Sequence, residues 1–85
     1  MLVVKINYPP NTFRSKNPTW QNLIKKTIKK AISPVCSPDK VGVFFIQNEK
    51  LNEVEIEIDV FIKNFDIDTL EQCISKFMSD NKSIL

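Results

Sequence analysis

Apolar and polar residues alternate from Val54 to Lys63, with Phe61 the one apolar residue at a polar position. Val54, Ile56, Ile58, Val60 and Ile62 share one side, while Glu55, Glu57, Asp59, Phe61 and Lys63 share the other. Successive strand side chains point to opposite faces, so the pattern predicts a half-buried β-strand. Its β-branched content agrees. One face must be covered by other elements and the other meets water or a partner. A one-residue slip would bury Glu55, Glu57 and Asp59, so the register is firmly set.

Two more strands are predicted upstream. Leu2 to Asn7 places Leu2, Val4 and Ile6 on one face, and Pro9-Pro10 ends it because proline cannot donate to a ladder. Val41 to Ile46 is apolar on both faces, with Val41, Val43 and Phe45 against Phe44 and Ile46. That reads as a central strand, or as one whose second face meets a partner. Gly42, the only glycine, marks a bulge or a close approach of another backbone. The short polar stretch before Val54 predicts an antiparallel hairpin between this strand and the next.

Two stretches carry helical periodicity. Trp20, Leu23, Ile24, Thr27, Ile28, Ala31 and Ile32 form an apolar stripe, with Lys25, Lys26, Lys29 and Lys30 mainly opposite. Thr19 is one N-cap candidate, and Asn17 with Pro18 at the first helical position is the other. Ile67, Leu70, Cys73, Ile74, Phe77 and Met78 form a second stripe, capped by Asp66 or Asp68. Ser79 to Ser83 is expected to fray, and Ile84 and Leu85 to add a short edge strand or stay loose. The element order is β-α-β-β-α. With both helices on one sheet face, the fold class is α+β, a two-layer sandwich.

Eighty-five residues make one domain with a modest core, which oligomerisation would supplement. The composition is 42% hydrophobic with a net charge of +2, which is globular rather than disordered. No apolar run is long enough to span a membrane and no signal-peptide pattern is present, so a cytoplasmic location is expected. The charge is segregated. Residues 1–40 carry eight basic side chains against one acid, and residues 41–85 carry four against nine. Both halves share one core, so this predicts a basic surface and an acidic surface on one body.

Much chemistry is excluded. There is no histidine, which removes the commonest general base and most zinc sites. A single glycine excludes phosphate-cradling and dinucleotide loops. Cys36 and Cys73 are too few for a disulfide framework and read as buried or incidental thiols. Glu55, Glu57 and Asp59 recur about 7 Å apart along a strand, loose for one cation, so they read as an open sheet face or as acids that meet another subunit's lysines. No cofactor is expected. The lysine cluster reads as a solvated helix face, with nucleic-acid binding as a weaker alternative because no aromatic residues are interleaved. Trp20 reads as a core anchor, and Tyr8 and Phe13 as better candidates for a contact.

The opening strand Met1 to Ile6, the helix Leu23 to Ser33 and the strand Val41 to Ile46 follow the β-α-β pattern of the tautomerase superfamily, which the chain resembles. Ferredoxin-like proteins share nearly the same element order. The tautomerase resemblance implies an oligomeric sandwich. It does not carry over the family's N-terminal proline base, because Leu2 follows Met1 here. Three functions follow as expectations. The first is a non-catalytic protein-binding module, adaptor-like or inhibitor-like and homo-oligomeric, meeting partners through Lys25, Lys26, Lys29, Lys30, Glu55, Glu57, Asp59 and Phe61. The second is a tautomerase-like enzyme using the Met1 amine. The third is nucleic-acid binding through the lysine-rich helix.

Overall fold

The computed structural model describes residues 1–10 and 18–85. Phe13 and Asn17, named above as a contact and a cap, lie outside them. The elements are β1 (Leu2–Tyr8), α1 (Pro18–Ala31), a 3-10 turn (Pro38–Lys40), β2 (Val41–Gln47), β3 (Glu55–Val60) and α2 (Ile67–Asp80). They form a small α+β domain, a three-stranded mixed sheet with two helices, in the predicted β-α-β-β-α order.

The strand order is β2-β1-β3, with β1 parallel to β2 and antiparallel to β3. This corrects two expectations. β2 is an edge strand, not a central one, and β2 and β3 do not form a hairpin. Parallel neighbours need a long crossover, which α1 supplies between β1 and β2. Residues 48–54 then step across the end of β1, where the Asn48 N–H donates to the Tyr8 carbonyl at 2.9 Å. The length of that connection suits either path, so it could not decide between them.

The register places Leu2, Val41 and Val60 in one row, Val4, Val43 and Ile58 in the next, and Ile6, Phe45 and Ile56 in the third. These rows face the helices. Leu2, Val4 and Ile6 are fully buried against Ile24, Ile28 and Ile32 from the first helical segment and Leu70 and Phe77 from α2. The expected apolar stripes are therefore the core, with two corrections. Leu23 and Ile67 lie at the margins of their stripes and are about half exposed. Trp20 is the anchor expected of it, buried and packed edge-on against Tyr8 and Phe45. Tyr8 is the last residue of β1 and part of this cluster, not a loop contact.

Asp66 caps α2, its carboxylate accepting from the Thr69 N–H at 3.1 Å and the Thr69 hydroxyl at 2.6 Å. The hydroxyl and then the amide hold its pKa below the ordinary carboxylate value. A depressed pKa contributes stability above the unfolded-state value, near 4, and loses it as pH falls through the folded-state value. Asp66→Asn should therefore lower Tm at neutral pH and reduce the dependence of Tm on acid, measured by thermal melts from neutral to low pH.

The chain after α2 is neither an edge strand nor loose. Asn81 closes the helix through its N–H and its side-chain amide, both donating to the Phe77 carbonyl. The Ile84 and Leu85 amides turn back to the Asn81 carbonyl, and the Trp20 indole N–H donates to the Ile84 carbonyl at 2.6 Å. Cys36 is buried and Cys73 half-buried, and both are free thiols. Among the described residues no helix is long and apolar enough to cross a membrane.

Candidate functional site: the open face of the sheet

The register that builds the core also builds the opposite face. Its rows are Gly42, Val3 and Asp59; then Phe44, Lys5 and Glu57; then Ile46, Asn7 and Glu55, each read from β2 through β1 to β3. The face is thus divided lengthwise. The β2 side is apolar, and the β3 side is acidic.

Phe44 is 53% exposed and Ile46 40% exposed, large values for apolar side chains in a sheet. A Cβ at Gly42 would stand 3.1 Å from the Phe44 ring and 3.2 Å from the Met1 methyl. Gly42 therefore seats the Phe44 ring and the Met1 side chain against the strand. The β1–β2 pairing is continuous through Gly42, so it marks no bulge, and the close approach comes from side chains rather than from another backbone. Phe61 follows β3 and is, among the described residues, the most exposed of the large apolar side chains, at 69%. Its N–H donates to the Met1 carbonyl at 2.9 Å, which extends the β1–β3 ladder by one pair.

On the acidic side Glu55 and Glu57 are exposed and Asp59 is half-buried. Lys5 lies opposite Glu57 but pairs diagonally with Asp59, Nζ to Oδ2 at 3.0 Å. The Asp59 hydrogen bond and charge raise the Lys5 pKa, with a smaller contribution from Glu57. Both groups are solvent-accessible, so the pair orients more than it stabilises. Glu57 stands directly across from Lys5, whose ammonium turns to Asp59, and Glu55 faces Asn7. Asn7, on the same face, is buried, and its side-chain amide donates to the Glu55 carbonyl at 3.5 Å.

The structure therefore brings Glu55, Glu57 and Asp59 together on one face, with Phe61 at its end. It does not bring the lysines to them. Lys25, Lys26 and Lys30 are exposed and Lys29 half-buried on α1, in the helix layer on the other side of the sheet. Sequence reasoning treated Phe44 and Ile46 as one strand's second face and did not place them in the site. Their exposure is the signal that joins them to it. Among the described residues no group of three or more histidine, cysteine or acidic side chains is arranged to hold a metal ion.

A shallow depression near the Met1 end is lined by Met1, Asp39, Lys40, Phe61 and Ile62. Comparisons with protein-family models, with curated proteins and with solved structures found no match.

Proposed function

We propose that this chain is a small, non-catalytic protein-binding module, adaptor-like or inhibitor-like, that works as a homo-oligomer and presents the open face of its sheet. The observation that carries the reading is the divided face. Phe44 and Ile46 stand exposed on β2, and the acids Glu57 and Glu55 stand in the same rows on β3, with Lys5 and Asn7 of β1 between them. Apolar side chains held together on a sheet face supply the burial that drives association. The acids across β1 select a partner whose apolar contact is flanked by lysine or arginine, and they disfavour acidic partners.

Selection of peptides from a random displayed library against the protein tests this. The reading predicts ligands that combine apolar and basic residues. Phe44→Asp should weaken their binding by about tenfold or more, and Glu55→Lys with Glu57→Lys should do the same. Lys25→Glu with Lys29→Glu should leave it unchanged. Ligands that depend on the lysine pair instead would contradict the reading.

The depression beside Met1 favours a second reading, a tautomerase-like enzyme in which the Met1 amine is the base. A keto–enol assay before and after acetylation of that amine tests it, and absence of turnover by the unmodified protein removes it.

A further inference from the structure

β2 has the sequence of an interior strand and the position of an edge strand. Its seven residues, Val-Gly-Val-Phe-Phe-Ile-Gln, include no charge and no proline. Edge strands are normally blunted by charge, proline or a bulge, because their free amides and carbonyls template pairing with another chain. The other edge, β3, is guarded in this way by Glu55, Glu57 and Asp59. Among the described residues no strand pairs with the outer side of β2.

The direction of the free backbone groups can be read from the ladder. The Asn48 N–H points to Tyr8 of β1. Backbone groups alternate sides along a strand, so Gly42, Phe44 and Ile46 also turn theirs toward β1. Val41, Val43, Phe45 and Gln47 turn theirs outward.

We propose that β2 pairs antiparallel with β2 of a second copy, about a two-fold axis that passes beside Phe44. This extends the homo-oligomer part of the proposed function by naming the surface and the register. Pairing about Phe44 sets Val43 against the partner's Phe45 and Val41 against the partner's Gln47. All four are residues whose backbone groups face outward, so each pair exchanges both hydrogen bonds across the full strand. On the open face Phe44 meets the partner's Phe44, and Gly42 meets the partner's Ile46. The product is a six-stranded sheet. An apolar strip crosses its centre, and the acid rows lie at its two far edges.

Self-pairing suits this edge, and suits it better than the β3 edge, for two reasons. The axis places apolar against apolar on both faces at every pair except that of Val41 with Gln47. It also keeps the two acid rows apart, which pairing through β3 would bring together. The charge of α1 makes a further demand. Trp20 of α1 packs on Phe45 of β2, with ring centroids 5.8 Å apart, while Ile67, Leu70 and Ile74 of the α2 segment border the β3 residues Ile56, Ile58 and Val60. Edge pairing through β2 therefore sets two lysine-bearing α1 helices side by side. Added salt screens their repulsion, so the dimer should tighten as salt rises.

Sedimentation equilibrium of the full chain, with cross-linking, tests the proposal. Wild type should be a dimer at micromolar concentration and tighter at high salt. Val43→Pro removes an outward amide without touching the β1 ladder, and should weaken self-association by about tenfold or more while circular dichroism stays native. If that variant does not fold, cross-linking decides. Opposed residues in such a pair stand about 4.5 Å apart at Cα, within disulfide reach. In a background with Cys36→Ala and Cys73→Ala, Phe44→Cys should oxidise to a homodimer. Gly42→Cys should link to Ile46→Cys in a mixture, and neither should link to itself. A monomer at all salts, or a dimer that yields none of these links, overturns the proposal. If such a protein still binds the selected peptides through Phe44, the binding reading stands and only the β2 pairing falls.

Discussion

Phe77→Ala should destabilise the protein by about 3–5 kcal/mol, the usual cost of removing a fully buried aromatic ring and leaving a cavity. Phe77 is the largest fully buried side chain among the described residues, 2% exposed, on the face of α2 that meets α1 and the sheet. A domain of this size has on the order of 5–15 kcal/mol to lose, so the variant should be partly or wholly unfolded at physiological temperature. Urea titration followed by circular dichroism measures it. The same truncation at Phe44 or Phe61, each more than half exposed, should change the unfolding free energy by no more than about 0.5 kcal/mol. Phenylalanines of identical chemistry thus separate into a core residue and surface residues. A large loss of stability at Phe44 would mean that the open face is part of the fold rather than free for binding.

Trp20→Ala should cost a similar amount, about 3–5 kcal/mol, for two separable reasons. The ring is buried between Tyr8 and Phe45, and its indole N–H donates to the Ile84 carbonyl at 2.6 Å. Trp20→Phe keeps most of the packing and removes only that hydrogen bond. It should cost about 1–2 kcal/mol and release residues 82–85, seen as faster hydrogen exchange at the Ile84 and Leu85 amides. Unchanged exchange there would show that these residues dock by apolar contact alone. Trp20 is the only tryptophan, so its fluorescence reports unfolding of the wild type directly.

The parts of the fold that were legible in the sequence are those governed by local periodicity. The alternation from Val54 to Lys63 assigned Ile56, Ile58 and Val60 inward and Glu55 and Glu57 outward, as they stand. The helical stripes named Ile24, Ile28, Leu70 and Phe77 as core. Strand order was not legible, because it depends on which chain segments meet, and β2 is apolar on both faces. Its composition asked for two neighbours, and the fold supplies one. Leu23 and Ile67 were misassigned for a related reason. A stripe gives the direction of the core, while its width depends on how far the neighbouring element extends.

The candidate site was legible by halves. Glu55, Glu57 and Asp59 followed from alternation alone. Phe44 and Ile46 belong to the same face only because β1 lies between β2 and β3, which no local pattern encodes. The lysines were correctly separated from the apolar stripe of α1, but the sandwich puts them in the layer opposite the acids. Within one molecule the α1 lysines therefore do not meet the acids of the sheet face, where Lys5 is the cation that pairs with Asp59.

If the open face of the sheet is where this protein meets others, a map of backbone amide shifts in the labelled protein will show it as a selected peptide is added. The shifts are expected to cluster at Val3, Lys5, Phe44, Ile46, Glu55 and Glu57 and to leave α1 undisturbed. Shifts that cluster at Lys25, Lys26, Lys29 and Lys30, with the sheet face unchanged, would contradict it.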